Sequence, residues 1–135
     1  ASFNFASYAD CFVSENLIRE FIQEKNIPLS DVAQSEVVKW KDREMDNKEK
    51  GNISIEIRKH SNDLSYLDMD YLANLVDKKD PAKEACLSRD AREYKPLRDG
   101  LAHTARLTKQ AKQKLRTVYD NIKGRIVKLL AGEGG

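Results

Sequence analysis

The sequence predicts an all-α fold: a single helical bundle of four to five helices that ends in a long basic helix. Apolar residues recur at spacings of three and four along most of the chain, which is the pattern of amphipathic helices. Only one short segment alternates with a period of two. The 135 residues, 40% hydrophobic and 34% charged, suit one helix-rich domain with solvated faces, so we expect residues 1–135 to form a single domain.

The first helix is predicted between Phe3 and Lys25. The three-to-four spacing assigns it an inward stripe of Phe5, Ala9, Phe12, Val13, Leu17, Phe21 and Ile22. Asn26 and Pro28 are expected to end it, because proline cannot continue the backbone hydrogen bonds of a helix.

A second, more polar helix is predicted to start at Ser30, which has the character of an N-cap, and to run toward Lys48. Its apolar positions are Val32, Ala33, Val37, Trp40 and Met45. We expect the tail of this region, from Asp42 to Asn52, to be a mobile loop.

The segment Ile53–Arg58 alternates apolar and polar residues, and this pattern alone favours a short strand. No partner strand is evident, and an isolated strand leaves backbone groups unpaired. We therefore favour a helix or an extended loop, and keep pairing with another chain as the alternative. His60, beside Ser61 and Asn62, is interpreted as a linker or cap residue.

Two helices are predicted in the middle of the chain. The third ends near Pro81, and its apolar face comprises Leu64, Leu67, Tyr71, Leu72, Leu75 and Val76. The fourth runs from about Ala82 toward Leu97, with inner positions Ala85, Cys86, Ala91 and Tyr94. Pro96 is expected to kink or end it, because its ring and missing N–H disrupt helical hydrogen bonding.

The last helix is predicted to begin after Thr108 as N-cap and to be roughly 30 to 35 Å long, at about 1.5 Å per residue. Its inward stripe is Leu107, Ala111, Leu115, Val118, Ile122, Ile126 and Leu129. Its outer face carries Lys109, Lys112, Lys114, Arg116, Lys123, Arg125 and Lys128.

The net charge of +2 hides an asymmetry along the chain. Residues 1–82 contain 11 Lys/Arg and 16 Asp/Glu, a balance of −5, whereas residues 83–128 contain 13 and 5, a balance of +8. A basic C-terminal third is what a surface for a polyanion requires. The alternative is a set of solvated lysine-rich helix faces with no ligand.

Within the basic third, an arginine is followed five positions later by one of the two histidines of the chain, in Arg98-Asp99-Gly100-Leu101-Ala102-His103. A guanidinium binds phosphate, and a neutral imidazole accepts a proton near neutral pH, so the pair has the groups for metal-free RNA cleavage. The alternative is a surface arginine and a helix-terminal histidine that aid solubility and capping.

On an unbroken helix, five residues place Arg98 and His103 about 140° apart around the axis, so they would not face one phosphate together. Pro96 and Gly100 are the residues that permit a bend, and we expect the chain to bend there.

This order of elements and the Arg-polar-x-x-x-His motif resemble the HEPN superfamily of small all-helical domains, in which the motif lies between the last two long helices. The stretch Tyr66–Leu72 is similar to a helix start found in members related to RNA surveillance and phage defence, and Thr104–Thr108 is similar to the link into the final helix. The resemblance covers residues 60–130. Many active members have Asn after the arginine, where this chain has Asp99.

The resemblance implies a homodimer in which two Arg/His sets line one cleft and cleave RNA without a metal. We expect His103 to deprotonate the 2′-hydroxyl, Arg98 to stabilise the phosphoryl charge and Asp99 to orient one of them. Single-stranded or looped RNA is the expected substrate. Its backbone is expected to follow Lys95, Arg106, Lys109 and Lys112.

No cofactor or metal site is expected. Asp68 and Asp70 sit where acidic residues commonly begin a helix, and Cys11 and Cys86 have no metal-ligand spacing, so we interpret the cysteines as reduced thiols. No glycine-rich phosphate loop and no apolar run long enough to span a bilayer is present in the sequence. We expect an intracellular protein, cytoplasmic or nuclear.

Two alternatives belong to other functional classes. One is a non-catalytic module of a larger protein that dimerises or binds RNA or protein. The other is a toxin-like domain restrained by a nucleotidyltransferase partner, since the resemblance includes such pairs. A general ribonuclease also requires restraint, so we expect a regulatory protein or a larger parent chain as a partner.

Overall fold

A computed structural model describes residues 4–59, 62–79 and 87–133. These residues form five α-helices and one short 3₁₀-helix, and no strand occurs among them. The α-helices are α1 (Phe5–Glu24), α2 (Asp31–Lys50), α3 (Met69–Lys79), α4 (Leu87–Ala102) and α5 (Lys109–Glu133), and the 3₁₀-helix is Asp63–Tyr66. The predicted all-α class and the long C-terminal helix are confirmed.

Four of the helices share one apolar core: α1 packs on α3 and α5, and α4 packs on the same two helices. The stripe predicted for the last helix is confirmed over most of its length, because Leu115, Val118, Ile122, Ile126 and Leu129 are buried. The predicted face of the third helix is confirmed at Leu72, Leu75 and Val76, whereas Leu64 and Leu67, which were assigned to the same helix, are buried in and just after the 3₁₀-helix. Tyr71 is half-buried at its edge.

The stripe predicted for the first helix is wrong in its N-terminal half. Phe5 is 77% exposed and Phe12 is 70% exposed. The buried positions are Ser7, Asp10, Cys11, Ser14 and Glu15, followed by Ile18, Phe21 and Ile22. The apolar face and the polar face of α1 both repeat with the helical period. The polar face is the buried one because charged residues on other helices pair with it. One of these is Arg116 on α5, whose Nη1 lies 2.7 Å from Oδ1 of Asp10.

Helix α2 begins as predicted, since Oγ of Ser30 accepts a hydrogen bond from the amide of Ala33 at 3.2 Å. The mobile loop predicted from Asp42 to Asn52 is wrong, because the helix continues to Lys50, with Gly51 as its C-cap and a left-handed Asn52 after it. The region is polar enough to suggest a loop. Its polar residues are nevertheless good helix formers that also pair along the helix, as Lys50 does with Asp46 at 2.9 Å.

Helix α2 is peripheral and packs mainly on the 3₁₀-helix. It buries only Ala33 and Val37, whereas Val32, Trp40 and Met45 are exposed. The segment that follows it forms neither helix nor strand up to residue 59, which agrees with the loop alternative for Ile53–Arg58 and excludes the helix. His60 lies outside the described residues.

Helix α4 does not break where the sequence suggested. Pro96 lies inside it, so the predicted end of the helix at this residue is wrong, and Gly100 is a helical residue without positive φ. The buried side chains of Tyr94 and Leu101, on either side of Pro96, hold this helix against the core. Of its predicted inner positions, Ala91 is buried, and Ala85 and Cys86 lie outside the described residues.

The chain reverses four residues after Gly100. Thr104 adopts a left-handed conformation with φ 59°. Its amide donates to the carbonyl of Leu101, and the amide of Ala105 donates to that of Gly100, each at 2.9 Å. This pair of bonds is the Schellman arrangement, which ends helices by satisfying their last carbonyl groups.

None of the described helices is both long and apolar enough to cross a membrane.

Candidate functional site

A cleft with a volume of about 390 Å³ opens between α1, α4 and the 3₁₀-helix with the start of α3. Four cations line it, namely Arg19, Arg58, Lys95 and Arg98. Four carboxylates also line it, namely Glu15, Asp68, Asp70 and Asp99. The indole of Trp40, from α2, lies in the same wall. The cleft therefore combines both signs of charge with an aromatic surface.

Glu15 joins the helices at the floor of this cleft. It is 6% exposed and accepts a very short hydrogen bond from the hydroxyl of Tyr94 on α4. Nε of Arg98 lies 3.3 Å from its Oε2, and Nη2 of Arg19 lies 3.4 Å from its Oε1. A buried carboxylate requires such partners, and these four residues, which we call the Glu15 cluster, supply them within the fold.

The two arginines of the Glu15 cluster have different surroundings. Arg19 donates to the carbonyl oxygens of Leu64 and Leu67, both at 3.0 Å, so it fastens α1 to the 3₁₀-helix. Burial lowers its pKa, against the attraction of Glu15. Arg98 has a side chain 45% exposed, and within the described residues its only hydrogen bond is the one from Nε to Glu15.

The electrostatics of the cluster keep Arg98 charged. Partial burial lowers the pKa of its guanidinium, but the charge and hydrogen bond of Glu15 outweigh that effect, and the pKa lies above its ordinary value. The pKa of Tyr94 is raised far above its usual range, first by burial and then by Glu15, so this phenol stays protonated and donates. The outcome is a fixed cation that lines the cleft with its side chain 45% exposed.

Two further residues from the sequence prediction lie in the same cleft. Lys95 is 3.9 Å from Oδ2 of Asp70, and both side chains are largely exposed. Asp99 lines the cleft, but among the described residues no hydrogen bond joins its side chain to Arg98 or His103. Burial, followed by the nearby Asp68, raises the pKa of Asp70.

His103 lies elsewhere. It follows the last residue of α4, it is exposed, and it is absent from the lining of the cleft. Because α4 is continuous to Ala102, the rotation from Arg98 to His103 is about 140°. Arg106, Lys109 and Lys112, in the linker and first turn of α5, also lie outside that lining. In one copy of the chain, the predicted residues Lys95, Arg98 and Asp99 thus line the same cleft. The other four predicted residues do not line it; they are His103, Arg106, Lys109 and Lys112.

Sequence reasoning missed Glu15, Arg19 and Tyr94 as site residues. A signal was present: Ser7, Asp10 and Ser14 repeat at spacings of three and four, which is a polar stripe with the helical period. An amphipathic helix with a stripe of this kind has two candidate inward faces. Only the positions of α4 and α5, which carry the partners of Glu15 and Asp10, identify the polar one.

No group of three or more His, Cys, Asp and Glu side chains suited to a metal occurs in the parts of the chain that the structure describes. Comparison with protein-family models, with curated proteins and with solved structures finds no match to this chain.

Proposed function

We propose that this chain is a metal-independent endoribonuclease of the HEPN type, which cleaves single-stranded or looped RNA at a composite Arg/His site formed by two copies of the chain. The observation that carries the proposal is the state of Arg98. Its guanidinium is charged and held by Glu15 at one nitrogen, and its side chain is partly exposed in the lining of a cleft of about 390 Å³. A guanidinium in that state is ready to bind a phosphate with its other nitrogens.

The separation of Arg98 and His103 is the reason for two copies. Within one chain the helix turns them apart, and His103 does not line the cleft that contains Arg98, so a phosphate bound in that cleft does not face the imidazole of the same chain. A twofold axis beside the C-terminal end of α4 would bring His103 of a second copy to the Arg98 cleft and repeat the arrangement in reverse.

In the proposed reaction, neutral His103 of the second copy takes the proton of the 2′-hydroxyl, and the oxygen attacks the adjacent phosphorus. Arg98 stabilises the charge that develops on the phosphoryl oxygens. The bond from phosphorus to the 5′-oxygen breaks, and that oxygen takes a proton from water, while the protonated His103 releases its proton to solvent. The products are a 2′,3′-cyclic phosphate and a 5′-hydroxyl. Asp99 and Lys95, at the rim, would orient the groups and attract the RNA backbone.

The test is cleavage of single-stranded RNA by purified protein in excess EDTA. Arg98→Ala and His103→Ala should each abolish cleavage, whereas Arg92→Ala, an exposed arginine on the same helix, should leave it unchanged. Substrates with 2′-deoxyribose at the cleaved position should persist. Cleavage that requires a divalent metal, or that survives both substitutions, contradicts the proposal.

Mixing the two inactive variants tests the composite site directly. In a random mixture about half of the dimers pair one variant with the other, and each such dimer holds one intact Arg/His set, so about a quarter of the activity should return. No recovery, although subunits exchange, would mean that Arg98 and His103 act within one chain or not at all.

The second candidate is a non-catalytic module that binds RNA or protein as part of a larger chain. The observation in its favour is that Arg98 already has an ion-pair partner in Glu15, so it has a structural role without any substrate. Binding of RNA without cleavage, unchanged by His103→Ala, would support this candidate over the nuclease.

A further inference from the structure

We infer that the cleft holds a nucleobase stacked on the indole of Trp40, with the adjoining phosphate toward Arg98 and Lys95. The inference takes RNA as the ligand from the proposed function, and it adds a base-binding subsite that the Arg/His motif does not contain.

The first step of the argument is the position of the indole. Trp40 is on the peripheral helix α2, and its side chain is 40% exposed, yet it lines the same cleft as Lys95 and Arg98 on α4. A tryptophan that only filled the core would be covered by other side chains. Exposed aromatic rings that lie beside cations are the usual stacking surfaces for single-stranded nucleic acids.

The second step is that the indole is held in one orientation. Its Nε1 donates to Oε1 of Glu36 at 2.6 Å, and the other oxygen of that carboxylate accepts from the hydroxyl of Tyr71 on α3 at 3.0 Å. Glu36 therefore ties the ring to the core of the bundle. A ring that is fixed before binding loses little conformational entropy when a base stacks on it.

The third step concerns the cations at the ring. The guanidinium carbon of Arg43 lies 4.8 Å from the ring centroid, and Nζ of Lys39 lies 5.7 Å from it. Both side chains are exposed. A base that stacks on the indole displaces one of these two cations from the ring. The displaced cation then lies in water near the RNA phosphates and attracts them instead.

The fourth step explains the carboxylates, which a simple phosphate site would not contain. Asp68 uses one oxygen, Oδ1, for the amides of Asp70 and Tyr71 at the start of α3. Its other oxygen and the exposed Asp70 and Asp99 are hydrogen-bond acceptors in the lining of the cleft. Carboxylates accept from the exocyclic amino groups of bases, which adenine, cytosine and guanine have and uracil lacks. A cleft with both charge signs therefore suits an amino-bearing nucleotide better than a bare polyanion.

The experiment uses the fact that Trp40 is the only tryptophan in the chain. The protein is titrated with single-stranded 2′-O-methyl oligoadenylate, which cannot be cleaved because its 2′-oxygen is blocked. Indole fluorescence should be quenched on binding, and the quenching should weaken as salt rises. Oligouridylate should bind more weakly, and an abasic backbone of the same length should bind without quenching.

Variants separate stacking from structure. Trp40→Ala should weaken binding about tenfold, measured by anisotropy of a labelled oligonucleotide, and Trp40→Phe should retain most of the affinity. Tyr119→Ala, which removes an aromatic ring beside Arg116 on α5, should leave affinity unchanged. Circular dichroism establishes that each variant is folded. Equal affinity of the wild type and Trp40→Ala, or binding without quenching, overturns the inference.

The outcomes for the two proposals differ. Quenching by the blocked oligonucleotide, together with no cleavage of RNA, would sustain the base subsite and reject the nuclease. Cleavage that requires Arg98 and His103, together with no effect of Trp40→Ala on binding, would support the nuclease and reject the base subsite.

Discussion

Helices α1 and α5 pack against each other, but they meet the core in opposite ways. Helix α5 buries an apolar stripe that includes Val118 and Ile122, as its spacing predicts. The first half of α1 buries Ser14 and Glu15 and exposes Phe12. The difference indicates two tasks: α5 supplies the apolar contacts of the bundle, and α1 supplies the charged floor of a cleft.

The largest expected effect tests which apolar residues are in the core. Ile122→Ala should lower the free energy of unfolding by about 2 to 5 kcal/mol, because it leaves a cavity among fully buried neighbours. Phe12→Ala should change it by less than about 0.5 kcal/mol, because the ring is 70% exposed. Urea unfolding measures both. Equal losses would mean that the phenylalanine is covered by protein and that the comparison of the two helices fails.

The next effect concerns the polar floor. Glu15→Ala should lower the free energy of unfolding by about 1 to 3 kcal/mol, because Tyr94 and Arg19 lose a buried acceptor. Glu20→Ala, an exposed glutamate on the same helix, is the matched control and should be near neutral. If neither substitution changes the free energy of unfolding, Glu15 does not stabilise the fold, and the proposal that it holds Arg98 in place loses its support.

A smaller effect tests the end of α4. Thr104→Gly should raise the free energy of unfolding by about 1 kcal/mol, because a β-branched residue is strained at φ 59° and glycine is not. Thr117→Gly, an exposed threonine inside α5, should lower it, because glycine is a poor helix former. If both substitutions destabilise to the same extent, the chain does not reverse at Thr104.

The smallest effect is expected at alkaline pH. Burial, ahead of other causes, raises the pKa of the Cys11 thiol on α1. A raised pKa keeps the proton on the folded protein while the unfolded chain releases it, so stability falls once pH exceeds the ordinary thiol value of about 8.5. The loss from this group by pH 9 is at most about 0.8 kcal/mol.

Urea unfolding of the wild type and Cys11→Ala at pH 7 and pH 9 measures this contribution. The pH-dependent loss should be smaller in the variant. An identical dependence in both proteins would show that the thiol is not buried in the folded protein.

Local signals predicted much of the bundle. Ser30 caps α2, Leu72 and Val76 face inward on α3, and α5 carries its stripe, because each depends on neighbours within a few residues. Part of the candidate site was also visible, since Lys95, Arg98 and Asp99 were predicted together and lie in one cleft. Local rules failed at Pro96, which was expected to end the helix but lies inside α4, where packing of the whole helix outweighs the preference of a single residue.

The sequence by itself determined the all-α class and the positions of most helices, because the period of apolar residues is a property of neighbouring positions. Only the tertiary structure decided which face of α1 is buried. Its two faces share one period, and the choice depends on Glu15 meeting Tyr94 and Arg98, which follow it by 79 and 83 residues. Contacts between residues so far apart in the sequence produce no periodic sequence pattern. The same contacts form the floor of the cleft and hold Arg98 in place.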